Sequence, residues 1–326
     1  MKDIFEIQDN IGDIQNKTVL KFGNSQNESK AISIIIPVYN RFECFKRAIH
    51  SALSQKCSIS YSIIVTDNNY ENNIDNINAY EKYIKSLNSD IVLYYKNKEN
   101  IGAANNFNLG PRICKSEYFV MCHEDDELPE NCLDELWKFK KTHNVKKQLV
   151  LPYNQMIEGD SIVKSPQIRT KFKRLYNHMN MIDWFLSTPT NGCGCLINRQ
   201  AFLELGGYNP EYNPSGDYAL FTLYTYIFGA FRLKKCLYIY HVSSENDSNK
   251  VFYTCIERDE FFRNCIKEKI PLPNFILNRI IKANKKRHTE IAEKIWLKKI
   301  IHPAPKIDKI IMKIADRMNR VLHVFW

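Results

Sequence analysis

The segment from Ala31 to Arg41 constrains the fold of this chain most. Residues 31–38 form an almost wholly apolar run that is rich in β-branched side chains. Such a run is typical of a strand buried on both faces, as in a parallel sheet covered by helices. Residues 42–55 follow with apolar side chains at helical spacing. A buried strand, a polar turn and an amphipathic helix are typical of a nucleotide-binding α/β unit, whose ligands bind at the carboxyl ends of the strands.

The turn at 37–41 contains no glycine. Both the dinucleotide-binding fingerprint and the phosphate-binding P-loop need a Gly-rich turn, so neither is present here. The same absence argues against a nucleotidyltransferase of the sugar-nucleotide pyrophosphorylase type. A nucleotide at this turn must therefore be held by side chains, by a metal ion and by backbone that is not Gly-rich.

Strands and helices alternate along the next 200 residues, which predicts an α/β fold with a mainly parallel central sheet flanked by helices. We expect strands at 61–66, 91–95, 118–122, 149–153, 194–197 and 231–241, and helices at 74–87, 103–114, 130–142, 199–205 and 218–228. A loop or hairpin over the site is expected at 155–174. The predicted organisation is a polar lead-in at 1–30, a catalytic domain at 31–250 and a basic helical region at 251–326.

Composition narrows the class of protein further. No apolar run approaches the roughly 18–20 residues that span a bilayer, and the polar, acidic N-terminus does not resemble a secretory signal. Ten cysteines are scattered without a CxxC pair, which argues against structural zinc. Reduced thiols in a cytoplasmic protein are the simplest expectation.

The net charge of +10 is concentrated at the C-terminus. Residues 279–326 contain 13 Lys and Arg against 4 Asp and Glu, which gives this segment +9. Within it, residues 307–326 carry a continuous apolar helical stripe with basic residues on other faces. This pattern predicts an amphipathic helix on an anionic membrane; the alternative is packing on the catalytic domain or in a homodimer. No nucleic-acid-binding motif is recognised, so nucleic acid is not an expected partner.

Carboxylates follow three of the expected turns. Asp67 comes directly after a strand, His123-Glu124-Asp125-Asp126 follows another, and Asp217 opens a helix. Each has a structural alternative, because acids at such positions also cap helices or close turns. The acidic cluster at 123–126 also suits Mg²⁺ or Mn²⁺, which prefer carboxylates and diphosphate oxygens.

The ordered set of motifs over residues 31–250 resembles the inverting family-2 glycosyltransferases of the GT-A fold. The matching pieces are Ile34-Ile-Ile-Pro-Val-Tyr-Asn40, Val65-Thr-Asp-Asn68, Asn100-Ile-Gly102 with Asn108-Leu-Gly110, Glu124-Asp-Asp126, and Gly206-Gly207-Tyr208 ahead of Gly216-Asp-Tyr218. The resemblance implies a sugar transfer from a UDP- or dTDP-linked donor to a saccharide acceptor in O-antigen or capsule synthesis. The predicted membrane helix at 307–326 fits an acceptor that is lipid-linked. The enzyme would be cytoplasmic, or peripheral on the inner face of the membrane.

The resemblance also implies roles for matching residues. Asp217 would deprotonate the acceptor hydroxyl, while Asp125, Asp126 and His241 would hold Mn²⁺ or Mg²⁺. The donor nucleotide would contact Pro37, Val38, Tyr39, Arg41, Asp67, Asn100, Gly102, Asn108 and Glu124. Asn191, Gly192 and Trp184 would shape the acceptor or donor-sugar pocket.

Three positions depart from the family pattern. His123 stands where the family has the first acid of its metal-binding motif, Phe107 replaces an Arg, and Gly216 replaces an acid before Asp217. These departures leave open a catalytically silent protein that binds sugar nucleotides.

Overall fold

The structure, a computed structural model, describes residues 1–26, 28–29, 31–70, 74–159, 161–164, 175–242 and 247–325. For 74–78, 164, 247–250 and 322–325 the description covers the backbone alone. Part of the segment expected as a loop or hairpin, 165–174, lies outside the described residues, as does Trp326 at the end of the predicted C-terminal helix.

Ten strands lie within the described residues. They are β1 (Thr18–Phe22), β2 (Ile32–Val38), β3 (Tyr61–Asp67), β4 (Val92–Asn97), β5 (Tyr118–Met121), β6 (Leu149–Glu158), β7 (Ser161–Lys164), β8 (Tyr176–Met179), β9 (Leu196–Asn198) and β10 (Ala230–His241).

The α-helices of the same residues alternate with these strands and then form a C-terminal group. They are α1 (Phe42–Leu53), α2 (Ile74–Ser86), α3 (Ala103–Ile113), α4 (Cys132–Thr142), α5 (Met181–Leu186), α6 (Arg199–Glu204), α7 (Gly216–Phe228), α8 (Asp247–Lys267), α9 (Asn274–Ala292) and α10 (Lys306–Phe325).

The sheet has the strand order β1-β4-β3-β2-β5-β9-β6-β10-β8, with β7 paired to β6. Strands β4, β3, β2 and β5 run parallel, as do β6 and β10. The remaining pairings are antiparallel. The expected parallel arrangement therefore describes the centre of the sheet, while the sheet as a whole is mixed.

Strand β2 lies in the middle of the parallel part, and all seven of its residues are buried. One face packs against α1, α2 and α4 through side chains such as Ile34 and Ile36, which share a cluster with Phe45 and Leu133. Ile35 on the other face belongs to a second cluster that extends to the C-terminal helices. The double-sided burial explains why the sequence of β2 is apolar throughout rather than alternating.

The N-terminal segment is more ordered than the sequence analysis predicted. Residues 1–30 were expected to be a polar lead-in, yet β1 pairs antiparallel with β4 at one edge of the sheet. Ile4, Ile11 and Ile14 are buried in the core cluster that contains Ile35. Three isolated isoleucines are too few to form a recognisable periodic pattern, so their contacts depend on tertiary structure.

The C-terminal region is helical, as predicted, and α10 begins and ends within one residue of the expected bounds. Asp308, Met312 and Ala315 are buried where this helix packs on the rest of the protein, which is called the body below. Among the described residues, no helix has both the length and the hydropathy that crossing a membrane requires.

Candidate active site

The loop after β2 is fixed by side chains from three other parts of the chain, one of which is Tyr80, whose Oη accepts the N–H of Arg41 at 2.9 Å. The backbone N–H of Tyr39 donates to Glu124 Oε2 at 2.7 Å, and that of Asn40 donates to Asn69 Oδ1 at 2.8 Å. Asn40 has a φ of 59°, in the left-handed region that Asn tolerates better than most residues. The loop is therefore held in one conformation at the carboxyl edge of the sheet.

Pro37 and Val38 are buried inside β2, whereas Tyr39 is 46% exposed. Of the three residues predicted to line a nucleoside pocket, only Tyr39 presents a side chain to solvent, so Pro37 and Val38 could contribute backbone atoms alone, and the pocket stays a prediction. The residue types around Pro37 do not show at which residue the buried strand ends and the chain reaches the surface.

Asp67, at the end of β3, is completely buried and accepts four hydrogen bonds. Its Oδ1 accepts from the backbone N–H and the side-chain amide of Asn69 at 2.8 and 2.7 Å. Its Oδ2 accepts from Tyr94 Oη and from Lys96 Nζ, the latter at 2.8 Å. A carboxylate has about four acceptor positions, so Asp67 must exchange one of these donors before it can bind a nucleobase.

An amide network joins the next two predicted residues to the same edge. Asn68 Nδ2 donates to Asn100 Oδ1 at 2.8 Å, and this oxygen also accepts from the N–H of Gly102 at 2.9 Å. Gly102 has a φ of 79° at the N-cap of α3. These contacts place Asn100 and Gly102 next to the loop that carries Asp67.

The turn after β5 brings three potential metal ligands together. One ligand atom each from His123, Asp125 and Asp126 lies within 4.8 Å of the others. Asp126 is fully buried, and its Oδ2 has no hydrogen-bond partner among the described residues. Burial, with a smaller contribution from Asp125, raises the pKa of Asp126 well above its usual range.

These residues fit a divalent cation. A buried carboxylate oxygen without a partner is costly, and a cation would favour the ionised form that burial disfavours. Burial also lowers the pKa of His123, which keeps its imidazole neutral and able to coordinate. Carboxylates and imidazole together are ligands that Mn²⁺ and other first-row ions accept.

Arg41 and Glu124 surround this cluster. The Arg41 guanidinium forms an ion pair with Asp125 Oδ2 at 2.5 Å. Glu124 is 8% exposed, and burial raises its pKa well above the usual range. Because its Oε2 accepts the N–H of Tyr39, Glu124 positions the β2 loop, and both predicted residues lie between that loop and the cluster.

His241 occupies a different position from the one predicted. Its Nε2 lies 2.6 Å from Glu127 Oε1, and only its backbone N–H reaches Asp126 Oδ1, at 3.2 Å. The ring of His241 pairs with Glu127 and lies outside the group of potential ligands, which His123 completes, so a metal-binding role for His241 stays a prediction without support from this geometry.

Asp217 lies in the first turn of α7, next to the buried Asp259 of α8. Burial raises the pKa of Asp217 to about 7, and the Asp259 carboxylate contributes to the increase. Burial also raises the pKa of the Tyr208 hydroxyl well above its usual range, and the nearby Asp217 carboxylate is the second cause of this increase. A carboxyl group that titrates near neutral pH is suited to general-base chemistry.

Gly192 and Asn191 lie in the turn before β9. Gly192 has a φ of 89°, and a Cβ there would lie 2.9 Å from Phe221 Cε2 and 3.0 Å from Tyr208 Oη. Asn191 Oδ1 accepts the N–H of Cys193 at 3.2 Å. A larger residue than glycine would therefore collide with the aromatic side chains beside Asp217.

Two predicted ligand contacts are corrected. Trp184 is fully buried and stacks on Tyr218 with ring centroids 6.2 Å apart, so its ring belongs to the core. Asn108 is also fully buried; its amide donates to the carbonyl of Tyr208 at 2.9 Å and accepts its N–H at 2.7 Å. In both cases the residue type is common to binding sites and cores, and burial decides between them.

Lys96 and Asp259 were missed by the sequence analysis. Lys96 follows two tyrosines in β4 and pairs with Asp67 across the parallel register. Pairing β3 with β4 in parallel register places Lys96 beside Asp67, and this is the signal from which Lys96 could have been predicted. No such signal exists for Asp259, because the sequence does not predict where α8 packs relative to Asp217.

The sequence also matches known proteins. The model of glycosyl transferase family 2 matches residues 33–206, more than half of the chain. The poly(ribitol-phosphate) beta-N-acetylglucosaminyltransferase TarP of Staphylococcus aureus is 32% identical over 117 residues, 35% of this chain and 34% of TarP. An uncharacterized glycosyltransferase of Rickettsia felis is 28% identical over 191 residues, 58% of this chain and 30% of that protein. Each match thus spans about a third of the relative's length.

Solved structures show the same fold at low identity. TarS 1–349 of S. aureus in complex with UDP superposes with a TM-score of 0.55 at 16% identity, over 81% of this chain and 73% of that chain. Its complex with UDP-GlcNAc gives 0.54 at 13% identity, over 88% and 87% of the two chains. The chain therefore belongs to glycosyl transferase family 2 and has the GT-A fold.

Proposed function

We propose that this chain is an inverting glycosyltransferase that moves a sugar from a nucleotide-sugar donor to a saccharide acceptor. The observation that carries the proposal is Asp217, whose pKa is raised to about 7 at the start of α7. Aromatic contacts link its neighbourhood to the acidic cluster, since Phe107 touches both Tyr208 and His123, with ring centroids 5.5 and 5.3 Å apart.

The donor we propose carries uridine. If Lys96 turns from Asp67 towards the base, Asp67 offers an acceptor and Lys96 a donor at the sheet edge, which is the complement of the N–H and carbonyl groups of a uracil or thymine ring. The solved TarS structures that resemble this chain are complexes with UDP and UDP-GlcNAc. dTDP-sugars present the same base edge and remain the second choice.

In the proposed mechanism Asp217 removes the proton of an acceptor hydroxyl. That oxygen attacks the anomeric carbon from the face opposite the nucleoside diphosphate, so the configuration inverts in one displacement. General-base assistance of this kind contributes about 10²–10⁴-fold to the rate. Gly192 keeps the space beside Tyr208 and Phe221 free, and Arg41 adds a positive charge near the carboxylate cluster.

His123, Asp125 and Asp126 would hold a divalent cation, Mn²⁺ or Mg²⁺. Such an ion supplies charge neutralisation for a diphosphate leaving group. Support for this role comes from the unpartnered, buried Oδ2 of Asp126 and from the donor types in the cluster.

The acceptor we propose is a saccharide of a surface polysaccharide, carried on a lipid. The similarity to TarP, whose name describes transfer to poly(ribitol-phosphate), supports a surface polymer. The amphipathic helix α10 supports a site close to the inner face of the cytoplasmic membrane. Its five apolar side chains that point away from the body are between 50% and 58% exposed: Ile307, Ile310, Ile314, Met318 and Val321.

The charges around α10 favour an anionic membrane as the partner of this stripe. The opposite side of the helix is fixed to the body by Asp308, which pairs with Arg279 and Lys286, and by Asn319, which donates to Asp183. Exposed basic residues flank the stripe at Lys306, Lys313, Arg317 and Arg320. An apolar stripe beside basic residues is the arrangement of an interfacial helix.

The direct test is nucleotide release from a panel of UDP-, dTDP- and GDP-sugars with Mn²⁺ or Mg²⁺ present. We expect release from a UDP-sugar, and a loss of at least about 10²-fold in the Asp217→Asn variant with UDP binding retained. Asp134→Asn is the matched control, because Asp134 is also an acid in the first turn of a helix but lies on α4. Normal turnover by Asp217→Asn would reject the proposed base, and UDP binding without any release by the wild type would identify a silent binding protein.

A further inference from the structure

His123, the first of the three departures from the family pattern, gives the cluster a chemical property that three carboxylates lack. An imidazole nitrogen is a good ligand for first-row transition ions and a poor one for Mg²⁺, which prefers oxygen ligands and retains water. The identity of the residue at 123 therefore bears on which cation the site prefers, beyond whether a cation is bound.

The position of the imidazole suits direct coordination. His123 Nδ1 lies 3.6 Å from Asp126 Oδ2. Two atoms that bind one ion at about 2.0–2.2 Å are typically about 3–4 Å apart, so the pair can share an ion with little movement. At this distance the two atoms do not form a hydrogen bond, and Asp126 Oδ2 has no hydrogen-bond partner among the described residues.

Phe107, the replacement for the family's Arg, holds the His123 ring. The two ring planes are nearly perpendicular, at 88°, with centroids 5.3 Å apart. A phenylalanine at 107 gives the imidazole an aromatic surface to pack against, which an arginine would not. Two departures from the family pattern thus contact each other, and the Phe107 ring holds the imidazole of His123 in one orientation beside Asp126.

We propose that His123 is a direct ligand of the metal and makes this site select a first-row transition ion such as Mn²⁺ over Mg²⁺. The inference rests on the proposed function only in that the same cluster holds the cation there. The inference concerns the atoms that coordinate the metal, and its test is independent of the role of Asp217.

The test detects nitrogen coordination directly. Mn²⁺ is added to the full chain with inorganic diphosphate, which contains no nitrogen, and electron spin echo envelope modulation records ¹⁴N nuclei coordinated to the ion. We expect the modulation of a bound imidazole in the wild type and its loss in His123→Asp. His241→Gln is the matched control, since its ring lies nearby but pairs with Glu127, and it should keep the modulation.

Affinity provides the second measurement. Calorimetric titrations should show that His123→Asp reduces the preference for Mn²⁺ over Mg²⁺ by about 10-fold or more, because an oxygen ligand replaces a nitrogen ligand and even outer-shell substitutions change metal affinity by about 10–100-fold. Thermal unfolding and diphosphate binding confirm that the variant is folded. The proposal is overturned if the wild type binds no Mn²⁺, binds it without ¹⁴N modulation, or loses the modulation in His241→Gln but keeps it in His123→Asp. A failed nitrogen signal alongside normal sugar transfer would reject this inference and leave the transferase intact.

Discussion

Asp217 combines a proposed catalytic role with a cost in stability. Its pKa is about 7 in the folded chain against an ordinary value of 3.8. Because the folded state binds the proton more tightly, this group stabilises the fold below about pH 4, and that contribution is lost as the pH rises through 7.

Replacing Asp217 by Asn should therefore change stability in a pH-dependent way. The variant cannot ionise, so we expect its melting temperature to exceed that of the wild type by more at pH 8 than at pH 5, because the loss in the wild type accumulates between about pH 4 and pH 7. Each unit of pKa shift corresponds to about 1.4 kcal/mol, less what solvent at this partly exposed carboxylate screens. Calorimetric scans at the two pH values measure the difference; an equal difference at both would contradict the raised pKa.

A substitution of Lys96 tests whether its ammonium group stabilises the buried carboxylate of Asp67. Lys96→Met leaves the fully buried Asp67 without its cation, and breaking such a pair costs about 3–5 kcal/mol. Lys17→Met is the matched control, because the Lys17–Glu99 pair is about half exposed on both sides and should contribute less than about 1 kcal/mol. Urea unfolding compares the two; similar small losses would show that Lys96 does not stabilise Asp67.

At the residue scale, the sequence identified acids but not their partners. Asp67, Asp125 and Asp217 follow strands or open a helix in a linear pattern, so they are visible without a structure. Two of the four donors to Asp67 come from Tyr94 and Lys96 on β4, and the burial of Trp184 depends on α7 and α8. Those contacts are tertiary, and the sequence pattern does not contain them.

The helix α10 shows what an element adds to its residues. The periodic apolar pattern predicted the helix correctly, but it did not show which side faces the body. The structure turns Asp308, Met312 and Ala315 inward and leaves much of the apolar stripe exposed. The side chains of Leu322 and Phe325, which were also assigned to the stripe, lie outside the described residues.

We expect Ile310→Ser with Ile314→Ser to reduce binding to vesicles that contain anionic lipid by more than about 10-fold, because burial of each isoleucine contributes roughly 1.5–3 kcal/mol. Ile162→Ser is the control, since Ile162 is 62% exposed on β7. Flotation of the full chain with vesicles measures the effect. Equal flotation of all three proteins would reject α10 as the membrane contact, and a dimer that the double substitution dissociates would assign the stripe to a second copy.

At the scale of the whole molecule, the parallel strands explain why distant residues meet. Strands β3, β2 and β5 end at one edge, so Asp67, Tyr39 and the 123–126 turn are neighbours although Tyr39 and Glu124 are 85 positions apart in the chain. The alternation of strands and helices predicted this edge, and the family and fold are confirmed. The strands β1 and β8 were not predicted, because short strands with few apolar residues depend on their partners. The strand at β9 was predicted, but its antiparallel pairing was not.

The pH dependence of kcat/KM for sugar transfer from a UDP-sugar tests the central claim most directly. If Asp217 is the base, kcat/KM rises through pH of about 7, where the pKa of Asp217 lies, and levels off above it. Asp217→Asn should be slower by at least about 10²-fold and lack this rise. A variant that keeps the wild-type rate and profile would contradict the account.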